Sequence, residues 1–144
     1  MSARVVSVCT SAATGVQKRP VAEATARAEH GLEGDAHAGP WHRQVSLLAD
    51  ESAAKMRAAG ARVGPGDFGE NVLTAGIDLV ALPLGAVIVV GGARLEVTQK
   101  GKECHSHCAI FDAVGTCVMP TEGIFCRVLA GGPIRPGDPV RVEG

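Results

Sequence analysis

LGAVIVVGGARLEVTQ, running from Leu84 to Gln99, decides how this chain is read. Val87 to Val90 is a compact β-branched run, Gly91 and Gly92 follow, and the second arm sets Leu95 and Val97 against Glu96 and Thr98. Two β-prone arms separated by two glycines predict a hairpin, because glycine supplies the backbone angles that a two-residue turn demands. The alternation in the second arm predicts one face in a core and one face in water.

Outward from that hairpin the same vocabulary recurs. Upstream, Val5 to Val8 reads as an opening strand, and Glu23 to Glu29 alternates Ala with polar residues in a strand-like period of two. Val45 to Leu48 is an apolar strand that runs into the clearest helix signal. Asp50 suits the N-cap, Glu51 adds negative charge to the first turn, Ala53, Ala54, Met56, Ala58 and Ala59 favour helix, and Gly60 stops it. Val72-Leu73, Ile124 to Leu129 and Val140 to Val142 read as further strands, and Lys102 to Phe111 as a helix. Gly31 to Asp35, Gly39-Pro40, Gly64 to Asp67 and Pro136 to Pro139 read as turns. Seven or so short strands and one firm helix predict a mostly β (α+β) fold. The expected form is a small β-barrel with a few short helices, one domain over residues 1–144.

At 144 residues the chain can bury a core without disulfide or metal staples. Aromatics make up 3% with no Tyr, which argues against a stacking platform for single-stranded nucleic acid. A net charge of −1 provides no field to attract nucleic acid or an anionic membrane. Met1 to Gly15 lacks the pattern of a signal peptide, and the longest apolar stretch, Leu79 to Val90, is broken by Pro83 and Gly85. A cytoplasmic location is expected, as a monomer or homodimer. Five cysteines, an odd number without an export signal, point to reduced thiols rather than a disulfide framework.

The densest reactive cluster is Lys100-Gly-Lys-Glu-Cys-His-Ser-His-Cys108, directly after the hairpin. Lys100 and Lys102 would lower the pKa of the Cys104 thiol and attract an anion. Cys104 therefore reads as a reactive thiolate or a ligand for a soft metal. Zinc held by Cys104, His105, His107 and Cys108 is a competing reading, although no second ligand pair with zinc spacing accompanies them. Cys108, Cys117 and Cys126, taken singly, also suit the role of small buried hydrophobes. A second constellation is Gly31-Leu-Glu-Gly-Asp-Ala-His-Ala-Gly39 with His42 and Arg43. Its glycines permit close backbone approach, and Asp35, His37, His42 and Arg43 supply polar contacts; Asp35 capping a turn beside solvated histidines is the plainer alternative. In Gly66-Asp-Phe-Gly-Glu-Asn71, Glu70 and Asn71 can either bind a polar ligand or brace a loop.

Taken in order, GLEGDAHAG (31–39), HRQVSLL (42–48), GDFGENVLTAGIDL (66–79), LGAVIVVGGARLEVTQ (84–99), Cys104 and PGDPVRV (136–142) resemble the MOSC family. This is the domain found at the C-terminus of molybdenum cofactor sulfurases, and the chain resembles its stand-alone bacterial members. The resemblance implies a barrel-rich fold and the molybdenum cofactor (molybdopterin) as ligand. It also implies that Cys104 acts as persulfide carrier or molybdenum ligand. Asp35, His37, His42, Arg43, Glu70, Asn71, Lys100 and Lys102 are the cofactor-contact candidates. A cysteine desulfurase as sulfur donor and a molybdoenzyme as acceptor are the implied partners, and no pyridoxal phosphate is expected on this chain. The run Lys100-Gly-Lys-Glu before Cys104 departs from the commoner Arg and Pro of the family, which counts against amidoxime reduction. A non-catalytic module that binds the cofactor or molybdate, a zinc-stabilised structural protein and a thiol-dependent detoxifying enzyme stand as alternatives.

Overall fold

The computed structural model describes residues 3–13, 17–58, 60, 64–100 and 122–143. The described strands are β1 (Arg4–Thr10), β2 (Arg19–Val21), β3 (Ala24–Arg27), β4 (Gly31–Leu32), β5 (Val45–Ala49) and β6 (Val72–Ala75). They continue with β7 (Val87–Val90), β8 (Ala93–Lys100), β9 (Ile124–Ala130), β10 (Gly132–Ile134) and β11 (Val140–Glu143). One α-helix, α1 (Asp50–Ala58), follows β5, and a 3-10 turn covers Leu79–Ala81.

The hairpin forms as its sequence dictates. Val90 pairs with Ala93 across Gly91, whose φ is +57°, and Leu95 and Val97 are buried while Glu96 and Thr98 are less so. This pair seeds an eight-stranded sheet in the order β11-β7-β8-β9-β5-β6-β1-β2, and β10-β3-β4 form a separate three-stranded sheet. In β3 the weak β-former Ala works because burial alternates: Ala24 and Ala26 face the core, and Thr25 and Arg27 face water. Every residue of β5 is buried, as befits a strand flanked by β9 and β6 with α1 packed against it. β5 and β6 run parallel, which a tight turn does not permit; α1 lies in the connection between them. The helix closes at Gly60, where φ is +101° and the N–H bonds the Arg57 carbonyl at 3.0 Å.

The expected closed barrel is not found, because β11 and β2 end the sheet. The sheet nevertheless curls until the start of β1 meets the chain just before β11. Arg4 bridges Pro139, the Val5 N–H bonds the Asp138 carbonyl at 2.8 Å, and the Val140 N–H bonds the Ala3 carbonyl at 3.0 Å. Pro139 has no N–H to extend that contact into a ladder. The eleven strands among the described residues also exceed the seven or so expected. The additional ones, β2, β4 and β10, are two or three residues long and include Pro20, Gly31 and Pro133, residues with little strand signal of their own. The helix expected over Lys102 to Phe111 lies outside the described residues.

The core is aliphatic: Leu47, Ile88, Leu95, Val97, Ile124 and Val128 meet inside the curled sheet, and Cys126 sits among them. One polar group ties the central strands together. Asn71 is fully buried, its Oδ1 accepting from Ser46 N–H (2.9 Å) and Ser46 Oγ (3.1 Å), and its Nδ2 donating to the Cys9 carbonyl at 3.1 Å. Asn71→Ala leaves those buried groups without partners. It should cost about 2–4 kcal/mol in urea unfolding at unchanged m value.

Candidate functional site

The glycine-rich loop after β4 begins with a close approach. Gly31 has φ +125°, and a Cβ there would lie 2.6 Å from the Gln44 carbonyl oxygen, so the loop presses on the chain entering β5. This delivers Asp35 to a buried ion pair that the sequence does not announce. Lys18 Nζ lies 2.8 Å from Asp35 Oδ1, both side chains being fully withdrawn from solvent. Asp35 Oδ1 also accepts the Ser11 N–H, and Oδ2 accepts the His37 N–H, each at 3.0 Å. Lys18 Nζ has two further partners at 3.0 Å, Ser11 Oγ and His37 Nδ1. Burial alone would raise the Asp35 pKa, but the Lys18 ammonium and the two backbone N–H groups outweigh it and hold the carboxyl below its usual range. Ser11, Lys18 and Gly34 also face a cleft of about 1100 Å³, which Arg19, Pro65 and Asp67 help to line.

On the other side of His37 the chain turns back through Trp41, His42 and Arg43. The Trp41 indole lies parallel to the His37 ring, with centroids 6.3 Å apart, and its Nε1–H bonds the His37 carbonyl at 2.7 Å. His42 Nε2 and Arg43 Nε both reach Gln99 Oε1 at 2.9 Å, and the Arg43 guanidinium lies 5.2 Å from the centre of the Phe125 ring. Thr98 Oγ1 bonds the His42 carbonyl. The loop residues His42 and Arg43 thus dock on Gln99 near the end of β8, one residue before Lys100, which is exposed.

Glu70 and Asn71 are placed differently. Asn71 is the brace described above. Glu70 is buried under its own loop, where Oε2 accepts the Gly66 N–H at 2.7 Å and Oε1 the Phe68 N–H at 3.2 Å. Gly66 in turn accepts the Lys18 N–H at 2.8 Å, and its φ of +84° and a Cβ position 2.1 Å from the Lys18 carbonyl leave no room for a side chain. The Glu70 loop therefore supports the Lys18 segment from behind. Burial pushes the Glu70 pKa up to about 7, with the Asp67 charge adding to the rise and the backbone N–H donors opposing it.

Among the described cysteines, neither suits thiolate chemistry at neutral pH. Burial, then the Glu70 charge, pushes Cys9 up to about 12. Burial pushes the fully enclosed Cys126 thiol well above its usual range, in line with a hydrophobic filler. Lys102, Cys104, His105, His107, Cys108 and Cys117 lie outside the described residues, and with them all four ligands of the zinc reading. Among the described residues, no three His, Cys, Asp or Glu side chains are grouped to hold a metal ion.

The structure thus brings Asp35 and His37 together, and separately His42 and Arg43 on Gln99, the residue before Lys100. It adds Ser11, Lys18, Trp41 and Gln99, none of which the sequence marks as a site residue. Lys18 stands in a short charged run beside Arg19, where a solvated lysine is the ordinary reading. Its only forewarning is an acidic partner in a glycine turn some distance along the chain.

The described residues form a mostly β fold whose glycine-rich loop is pinned by a buried ion pair and whose His42–Arg43 turn docks on the strand that precedes the Cys/His-rich stretch of the sequence. The family model of the MOSC domain matches residues 33–141, and the chain belongs to that family. Solved structures with the same fold include the YuaD protein of Bacillus subtilis (TM-score 0.80, 20% identity, 99% of this chain and 96% of that one). YiiM of Geobacillus stearothermophilus gives a TM-score of 0.75 at 22% identity over 99% of this chain and 75% of that one. YiiM of Escherichia coli gives 0.70 at 22% identity over 100% and 70%. No curated protein matches the chain in sequence. Among the described residues no helix is long and apolar enough to cross a membrane.

The two buried carboxyls titrate with opposite sign. Glu70 is raised from 4.5 to about 7, so between those values the folded chain holds a proton that the unfolded chain has released, and stability falls as pH rises. Asp35 is lowered from 3.8, so its contribution is present above that pH and is lost only as pH falls further. Urea midpoints measured from pH 4.5 to 7.5 should show a decline on the order of 3 kcal/mol attributable to Glu70. In Glu70→Gln that component of the slope should vanish; an unchanged slope would assign it to another group.

Proposed function

We propose that this chain binds the molybdenum cofactor and that Cys104 serves it, as persulfide carrier or molybdenum ligand, in cofactor maturation or delivery. The observation that carries this reading is the meeting of His42 Nε2 and Arg43 Nε on Gln99 Oε1, each at 2.9 Å, on the strand that leads into Lys100 and then Cys104. It draws the cationic end of the glycine-rich segment to the end of the strand that the cysteine cluster follows in sequence. Membership of the MOSC family supplies the ligand class. Burial raises the thiol pKa of Cys9 and of Cys126, which suits neither of these two described cysteines to thiolate chemistry.

The donor set fits such a ligand. The molybdenum cofactor, when bound, supplies a soft metal held through a pterin dithiolene and carries an anionic phosphate. Arg43 and Lys100 offer cationic donors for that phosphate, and the Gly31–Gly39 backbone permits close approach. Gln99 fixes the Arg43 and His42 side chains, so less orientation entropy is lost on binding. As a sulfur carrier, the Cys104 thiolate would attack the outer sulfur of a desulfurase persulfide. The inner sulfur then leaves as a thiolate, with no net change of oxidation state. The desulfurase and a recipient molybdoenzyme are partners of this reading.

The test is metal analysis with intact mass spectrometry on protein purified anaerobically from its own host. Molybdenum, a pterin adduct or one added sulfur, present in the wild type and lost in Cys104→Ser, is the expected result. Stoichiometric zinc, or any of these signals surviving in the variant, overturns it. Arg43→Ala should lower cofactor occupancy about tenfold, by loss of a charge-assisted contact.

A further inference from the structure

The chain has one Trp, and aromatic residues make up only 3% of it. That one indole, Trp41, is left 43% exposed. A single exposed apolar side chain is ordinary on a protein surface and by itself needs no explanation. Trp41 differs in how firmly it is held. Its backbone N–H bonds the Gly39 carbonyl at 2.9 Å, and its Nε1–H bonds the His37 carbonyl at 2.7 Å. The His37 ring lies parallel to it with centroids 6.3 Å apart, and the His42 ring meets it edge-on at 5.8 Å. With the indole N–H spent on the main chain, what Trp41 offers to solvent is ring carbon. An aromatic fixed in this way loses little rotamer freedom when a ligand settles on it.

The neighbours of the ring decide which ligand that is. His42 Nε2 and Arg43 Nε both reach Gln99 Oε1 at 2.9 Å, so Trp41, His42 and Arg43 put an aromatic surface and a cation on one turn docked against β8. Trp41 and Arg43 are two residues apart, which keeps their Cα atoms within about 7 Å of each other. The negative π face of an indole attracts an electron-poor ring, and a guanidinium attracts an anion. Together they suit a flat, electron-poor nitrogen heterocycle with an anionic group on a short tail. The other described Phe and Trp side chains, Phe68 and Phe125, are buried, so this surface receives one heterocycle and not a run of bases.

We propose that Trp41 is a ligand-contact residue that stacks on the pterin ring of the cofactor while Arg43 holds its phosphate. The inference rests on the cofactor-binding reading for the identity of the heterocycle. It adds to that reading an apolar contact beside the polar and charged ones.

The experiment titrates the full chain with neopterin monophosphate, a metal-free probe, following affinity by equilibrium dialysis and stacking by the proton spectrum of the pterin. An upfield ring-current shift of the pterin C7 proton is expected, with quenching of the emission of Trp41, the one Trp in the chain. Trp41→Leu should abolish the shift and weaken binding about tenfold. Trp41→Phe should keep the shift and most of the affinity. Both variants lose the Nε1–H contact to His37, so the ring is what distinguishes them; an equal loss in the two would assign the effect to that hydrogen bond and overturn the proposal. Unchanged affinity in Trp41→Leu, no binding of the probe by the wild type, or equal affinity for guanosine monophosphate also overturns it. Molybdenum and sulfur in protein from the host are read separately. Host protein that carries molybdenum, with Trp41→Leu binding the probe as tightly as wild type, would sink this inference alone; host protein that carries neither, with the probe still stacked on Trp41, would sink the cofactor reading alone.

Discussion

The Lys18–Asp35 pair is the constraint on which the arrangement of the site depends. Withdrawing an ammonium and a carboxylate from water costs several kcal/mol per ion, and their attraction offsets this only when the remaining protons and lone pairs are satisfied. Here they are. Lys18 finds Asp35, Ser11 and His37, and Asp35 receives two backbone N–H groups in addition to the ammonium. The pair can form only when the chain after β1, the chain before β2 and the loop after β4 come together. Its contribution is therefore a single relative placement of three segments more than a large gain in stability. Gly66 extends the constraint to a fourth segment by seating on the backbone of Lys18, and Glu70 holds Gly66 in place.

Two kinds of interaction divide the work in this molecule. Aliphatic side chains from β5, β7, β8 and β9 make the sheet curl around a common interior, and burial of their area drives folding without specifying the loops. Buried polar side chains then fix the loops on that frame. Asn71 ties β5 and β1 to β6, Gln44 accepts the Val128 N–H, and Glu70 gathers two N–H groups of its own turn. With so few aromatic residues, the Phe125 ring is spent where it matters, beneath the Arg43 guanidinium, where it limits the orientations the cation can take.

The hairpin, β5 with its helix and the alternating β3 were legible because each is a local pattern with a local cause: paired glycines, an acidic first turn followed by alanines, a period of two; Asp50, expected as the N-cap, is the first residue of the helix itself. β2, β4 and β10 were not, since two or three residues have no periodicity and their pairing is set by the strands beside them. The open seam was hidden for a similar reason: it turns on where Pro139 falls against Arg4. In the site, Asp35, His37, His42 and Arg43 stood out by residue type near glycine. Lys18 did not, because a lysine is recognised as buried only through its partners, which lie in two other segments, one holding Ser11 and the other Asp35 and His37. Glu70 and Asn71 were visible as polar residues in a turn, but the choice between contacting a ligand and bracing the loop depends on which atoms surround them.

The contact between the first strand and the approach to the last has a bearing on how the curled sheet stays shut. Residues 3–5 and 138–140 are hydrogen-bonded side by side before β11 runs on to Glu143 along β7, so the curl is fastened through backbone groups alone at this seam. Such a clasp asks nothing of the side chains at Arg4 and Pro139, which leaves their identity open to change while the shape of the sheet is kept.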